Sequence, residues 1–223
     1  MSVITPIETL YNGYRFRSRL EARWAVFLDA LGVDYMYEPQ GFVTEDGETY
    51  LPDFKVKCYG TRGFAPYVAP FDLYIEVKGE GDSQSERKLL SFAKNMEDME
   101  LRDSAYGDRK GCPVLVVGDV PNITCEADLT DSAVFGSYDR VRGFNTICPF
   151  NYQLIDGDYF AAYPAVRNGC FFLYGDDCNY ILDDNGEPMG EDQRIMRAYQ
   201  IARTARFEHG ETPNPEMLRR GEF

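Results

Sequence analysis

The sequence predicts an α/β protein, a mixed central sheet flanked by helices, with a strand-rich acidic elaboration toward the C-terminus. Three observations predict it. Arg17 to Leu31 places Leu20, Trp24, Phe27, Leu28 and Leu31 at spacings of three and four, one apolar helical face. Phe71 to Val77 alternates and then turns strongly apolar, and PVLVV at 113–117 is apolar throughout, as fully buried strands are. The order helix, strand, strand, strand, helix, strand fits an α/β layer with a mixed sheet.

The elements follow in order. Ser18 stands near the start of the first helix and Gly32 follows as its stop signal. Val33 to Tyr37 is a short strand, punctuated by Pro39 and Gly41. Asp46 and Gly47 make a turn into a strand from about Tyr50 to Cys58. A loop with two glycines and two prolines fills 60–70, and the Phe71–Val77 strand follows. Ser85 to about Ser104 reads as a helix with Leu89, Phe92, Ala93, Met96 and Met99 on one face. After Gly118 the texture changes to short strands near 133–138, 144–148, 151–155 and 170–174, separated by acidic, glycine-containing turns. A last helix runs from about Glu191 to Phe207, with Ile195, Met196, Tyr199 and Ala202 as its buried stripe. The tail, with Pro213 and Pro215, reads as loose. The expected division is a core over 1–118, an acidic elaboration packed on it over 119–190, and a helix and tail over 191–223.

Composition narrows the function. The chain has 223 residues, of which 44% are hydrophobic, so it folds rather than remaining disordered. Its net charge of −14 argues against broad attraction to phosphate backbones. The charge is uneven: Asp119 to Gly190 holds 12 acidic and 3 basic residues, whereas Arg15, Arg17, Arg19 and Arg23 cluster near the start. A nucleic acid would therefore dock locally against the two ends of the chain, through Arg15, Arg17, Arg19, Arg203 and Arg206. The six cysteines lack zinc-site spacing and only one histidine, His209, accompanies them, so they read as free thiols. Residues 1–20 lack the apolar run of a signal peptide, and no stretch reaches the length of a membrane span. The expectation is a cytoplasmic protein without a membrane association.

Three places carry chemistry. Glu21 lies in RSRLEARWA on the first helix, Asp53 in YLPDF on a strand, and Glu76 and Lys78 in IEVKG at the end of an inner strand. Strand alternation puts Glu76 and Lys78 on one face, carboxylate beside ammonium. Hard oxygen ligands of this kind suit Mg2+ or Mn2+, which activate phosphodiesters toward water. A lysine can orient that water or stabilise developing negative charge. Asp53 and Glu76 are the candidate metal ligands, with the Val77 carbonyl and Glu21 as further ones. Each also has a plainer reading: Glu21 as a helix-surface carboxylate beside Arg17 and Arg23, Asp53 as a turn cap, and Glu76 with Lys78 as a strand-surface ion pair.

The order of Glu on helix one, then Pro52-Asp53, then Glu76-Val77-Lys78 resembles the PD-(D/E)XK nuclease superfamily, with 22 residues between Asp53 and Glu76. The wider context, FRSRLEARWAVFLDALGVDY…YEPQGF…YLPDF…IEVKG, resembles small proteins of phages and mobile elements. The resemblance covers roughly residues 14–118. It implies a restriction-endonuclease-like core and a divalent-metal-dependent nuclease, with Glu21, Asp53, Glu76 and Lys78 as the active-site set and DNA as the substrate. It also implies an assisting residue on the helix after ExK, for which Gln84, Glu86 and Lys88 are the local candidates. A fold can outlive its chemistry. The competing expectations are a catalytically inactive binding protein on this scaffold, such as a phage counter-defence inhibitor using the acidic, aromatic-rich 119–190 region to contact a protein partner, and a virion structural or assembly protein.

Overall fold

The computed structural model describes residues 6–44, 47–58, 71–78, 88–89, 91–92, 99–103, 107–120, 150–154, 159–167, 170–175, 193–208 and 211–222. It is an α/β protein built on a mixed eight-stranded sheet, with two further strand pairs outside that sheet.

Strands β1 (Thr9–Tyr11) and β2 (Tyr14–Phe16) form an antiparallel hairpin. Its turn is Asn12-Gly13, with φ of 46° and 79°. Asn and Gly adopt this left-handed backbone most readily, and its twist matches that of the flanking strands. Three-residue strands are too short to show a period, so the Asn-Gly pair was the available sequence signal for this hairpin.

Helix α1 (Arg19–Leu31) begins two residues later than the apolar pattern predicts, because Ser18 is its cap: extended, with its hydroxyl accepting the Glu21 N–H. Gly32 ends it at φ 71°, its N–H returning to the carbonyls of Leu28 and Asp29. Val33 also donates to Leu28, at 2.9 Å, so β3 (Tyr35–Tyr37) starts later than expected.

β4 (Phe42–Val43) and β5 (Thr49–Tyr50) pair as a hairpin whose turn contains Gly47 at φ 77°. β6 (Phe54–Cys58) follows. The single strand expected from Tyr50 to Cys58 is therefore broken over 51–53. Tyr50 belongs to the hairpin, and Pro52 has no N–H to give a ladder. β7 (Phe71–Val77) has the expected bounds, antiparallel to β6 and parallel to β9 (Gly107–Val117).

β9 is longer than the 113–117 run, because its first half pairs with β8 (Met99–Asp103). This corrects the end of the helix expected over 85–104. Residues 88, 89, 91 and 92 are helical, but Met99–Asp103 satisfies the ladder groups of Gly107–Gly111, Met99 opposite Gly111 and Asp103 opposite Gly107. Helical spacing at Met99 was coincidental. The other residues of that expected helix lie outside the described ones.

In the acidic region, β10 (Phe150–Leu154), β11 (Tyr159–Arg167) and β12 (Cys170–Gly175) run antiparallel and join the same sheet. β10 pairs with β9, and β12 meets β6 at Phe171 opposite Cys58. The path β6-β7-β9-β10-β11-β12 thus returns to β6. β10 and β12 match two expected strands and β11 was not foreseen; 133–138 and 144–148 lie outside the described residues.

Helix α2 (Gln193–Thr204) stops before the expected end at Phe207 and buries Ile195, Ala198, Tyr199 and Ala202, leaving Met196 partly covered. The tail expected to be loose holds a capped helix, α3 (Pro215–Arg220). Asn214 accepts from the N–H groups of Glu216 and Met217, and Pro215 fills the first helical position, where a missing N–H costs nothing. Arg219 binds α3 back to α1 through Asp29 at 2.8 Å.

The sheet has two different faces. Phe54, Val56, Leu73, Ile75, Leu115 and Val117 pack toward α1 and α2, where Tyr199 stacks on Phe27 at 4.5 Å. Tyr74, Val114 and Val116 pack on the other side with Tyr50, Leu89 and Phe92. Cys58 is buried and Cys170 half-buried. Among the described residues no helix is long and apolar enough to cross a membrane.

Candidate functional site

Glu21, Asp53, Glu76 and Lys78 are 8%, 3%, 7% and 6% exposed. These values remove the surface readings of Glu21, Glu76 and Lys78, since buried charges persist only when paired. The site is built where β6 begins and β7 ends, beside the N-terminus of α1.

Glu21 is held first by its own helix. The Ser18 hydroxyl donates to Glu21 Oε1 at 2.8 Å while accepting from the Glu21 N–H at 3.1 Å, a variant of the reciprocal cap that S-x-x-E sequences form. Glu21 Oε2 accepts from the Arg17 N–H at 3.1 Å and the Tyr37 hydroxyl at 2.6 Å. Both oxygens are thus engaged by structural partners. The Tyr37 hydroxyl is held above its ordinary pKa by burial and by Glu21, so it remains a donor.

Asp53 follows the break at Pro52. Its Oδ2 accepts from the Val77 N–H at 2.8 Å, which ties the start of β6 to the end of β7. Its Oδ1 meets Arg17 Nη2 at 2.5 Å. Burial, then the charges of Glu76 and Glu21, hold the Asp53 carboxyl well above the ordinary carboxylate range, against the opposing Val77 N–H and Arg17. Arg17 also meets Glu38 at 2.9 Å. Glu38 stands at φ 45°, a left-handed backbone unfavourable for a residue with a Cβ, and its N–H donates to the Asp53 carbonyl at 2.8 Å.

Glu76 and Lys78 share a face, as strand alternation requires, with Lys78 Nζ 2.5 Å from Glu76 Oε1. Tyr50 donates to the other Glu76 oxygen at 2.6 Å. Tyr74 shares that face, so Glu76 and Lys78 belong to the side carrying Tyr50 and Phe92, opposite α1. Glu21 therefore reaches the site from one side of the sheet and Glu76 from the other, with Asp53 between them at the strand end. Arg17 links Glu21 to Asp53, and the Val77 N–H links Asp53 to the strand carrying Glu76.

Positive charge for these carboxylates comes from Arg17 and Lys78. Among the described residues, no three carboxylate, histidine or cysteine side chains stand together as a ready metal cage. The donor set nevertheless fits a hard divalent cation. Its candidate ligands offer oxygen alone, the donor type that such a cation takes.

The candidate arginines do not form one surface. Arg17 lies on the acidic site, Arg15 pairs with Glu8 on the exposed hairpin, and Arg203 donates to the Val120 carbonyl at 2.9 Å. Arg19 pairs with Glu208, and Arg206 lies 3.5 Å from Glu211. Lys88 is exposed, 3.8 Å from Glu48; Gln84, Glu86 and His209 lie outside the described residues. Sequence reasoning missed Tyr37, Tyr50 and Glu38. Nothing in their local sequence marks them, because each reaches the site only through the pairing of a neighbouring strand or turn. No protein family, no curated protein and no solved structure matches the chain.

Proposed function

We propose that the chain is a divalent-metal-dependent nuclease with a restriction-endonuclease-like core, hydrolysing phosphodiester bonds of DNA. The observation that carries this reading is the burial of Asp53, Glu76 and Lys78 together at the meeting of β6 and β7. Three ionisable groups in so small a buried volume are expensive for a scaffold and useful for chemistry on a charged substrate. Asp53 and Glu76 would hold Mg2+ or Mn2+, with the Val77 carbonyl as a further candidate. Such an ion supplies a polarised phosphate and a more acidic water. Lys78, already beside Glu76, stabilises the negative charge that grows on the phosphate as water attacks. Glu21 closes the N-terminus of α1 and shapes the Arg17 turn. Arg17, with 56% of its side chain exposed, can leave Asp53 for a substrate phosphate.

The test is cleavage of linear, nicked, circular and single-stranded DNA with Mg2+ or Mn2+, beside a Lys78→Ala control. Cleavage by the wild type alone supports the reading. A second reading, an inactive binding protein on the same scaffold, draws on the internal pairing of Asp53 with Arg17 and of Glu76 with Lys78, which leaves a folded site without any ion. Absence of cleavage on every substrate with both metals would replace the first reading with the second.

A further inference from the structure

A second site lies on the opposite side of α1 from Glu21. Arg19 and Arg23 are one helical turn apart, so they share a face, and Glu21, two residues from each, points elsewhere. Their face lines a cavity of about 530 Å³ with Arg206, Phe207, Glu208 and Glu211. That volume lies within the range of small-molecule sites. Three guanidinium groups converge there in a chain of net charge −14.

The charges are unequally satisfied. Arg19 pairs with Glu208, and the Arg206–Glu211 pair is long, at 3.5 Å, between side chains that are mostly exposed. Arg23 makes no ion pair among the described residues, and its Nε is buried without a hydrogen-bond partner. A buried guanidinium donor with no acceptor is costly, and native proteins rarely keep one without a water, an ion or a ligand to meet it. Phe207, half-buried beside these arginines, adds an apolar wall against which a ring can lie.

We propose that this cavity is a nucleotide site, in which Arg23 and Arg206 hold a phosphate group and Phe207 faces the sugar or base. Guanidinium groups recognise phosphate through paired N–H donors, and Arg23 and Arg206 both line the cavity. The phosphate can belong to a free nucleotide or to a nucleic-acid strand. The site does not depend on the metal chemistry at Asp53.

The experiment is calorimetry in EDTA with the full chain, titrating inorganic phosphate, adenosine monophosphate, adenosine and a short single-stranded oligonucleotide. Both phosphate-bearing nucleic probes are compared across wild type, Arg23→Gln and Arg206→Gln. The expected result is binding of at least one of them, no binding of adenosine, and a loss of about tenfold or more in each variant, the scale of one charge-assisted hydrogen bond. Selective binding of the monophosphate assigns a free nucleotide; selective binding of the oligonucleotide assigns a strand. Melting temperatures near wild type keep the variants interpretable, and two variants guard against misfolding of one. No binding of any phosphate-bearing probe, equal binding of adenosine, or binding unchanged in both variants would overturn the proposal.

Discussion

At the scale of the residue, Lys78 and Asp53 separate chemistry from scaffold. Lys78 offers a positive charge beside Glu76 and is not a metal ligand. In the proposed nuclease, Lys78→Ala should lower turnover roughly 10²-fold, the usual scale for one well-placed electrostatic group, while calorimetric Mg2+ affinity holds or rises. Arg17→Met should act in the reverse sense on stability. It leaves the buried Asp53 carboxylate without its cation, so urea denaturation in EDTA should show a loss of roughly 1–3 kcal/mol. Added Mg2+ should recover part of it by binding the folded state. The Asp53 carboxyl also sets a pH dependence. Its folded pKa is raised, by burial first and then by Glu76 and Glu21, above its ordinary 3.8. The folded chain therefore keeps this proton to higher pH than the unfolded chain. Asp53 favours folding below pH 3.8, and that contribution is lost as pH rises through the folded pKa. In EDTA, the stability of wild type relative to Asp53→Asn should fall across that window. A difference that stays flat or rises with pH would contradict the assignment.

At the scale of the element, α3 is a clip. Asp29 is fully buried on α1, where its Oδ2 accepts from Tyr11 at 2.9 Å and Asn12 at 3.2 Å. Arg219 supplies the one ion pair to Asp29 among the described residues, at 2.8 Å, and reaches Asp34 at 2.6 Å. Arg219→Ala should cost about 2 kcal/mol in urea denaturation, the scale of a lost hydrogen bond to a charged group, because Asp29 stays buried. A loss of only a few tenths of a kcal/mol would show that Tyr11 and Asn12 suffice. The elements differ in how legible they were. α1 was readable from its apolar spacing, and even its S-x-x-E start lay in plain sequence. β8 was not, because a five-residue strand is decided by the free edge of β9 and not by its own pattern. α3 was hidden by its prolines, which suggest a loose tail until one of them falls at the first position of a capped helix.

At the scale of the whole molecule, the strands of the acidic region complete the pairing path of the core. A chain ending at residue 118 would lose β10 from the edge of β9, β12 from β6, and α2 from the cover over Trp24 and Phe27. It should show no cooperative thermal transition by circular dichroism; a sharp transition would mean that 1–118 folds alone. Charge also acts at this scale. With a net charge of −14, the proposed DNA substrate would have only the few arginines near α1 and the end of α2 to contact. The dependence of log affinity on log salt should be shallow, a slope of about −3 or less in magnitude, as few phosphates are neutralised.

The sequence by itself determined the α/β class, the bounds of β7, the body of α1 and the pairing of Glu76 with Lys78 on one face. These follow from periods of 3.6 and 2 and from caps and breakers, all of which act over a few residues. Only the tertiary structure decided what surrounds the acidic residues. The register of β6 against β7 brings Asp53 to the Val77 N–H, and the turn after β3 brings Glu38 to Arg17. Tyr37 and Tyr50 reach Glu21 and Glu76 from strands whose own sequences give no sign of it. The cavity of Arg19, Arg23 and Arg206 likewise joins residues nearly two hundred positions apart. The physical reason is range: local pattern fixes which way a side chain points, while burial and strand pairing fix what it meets.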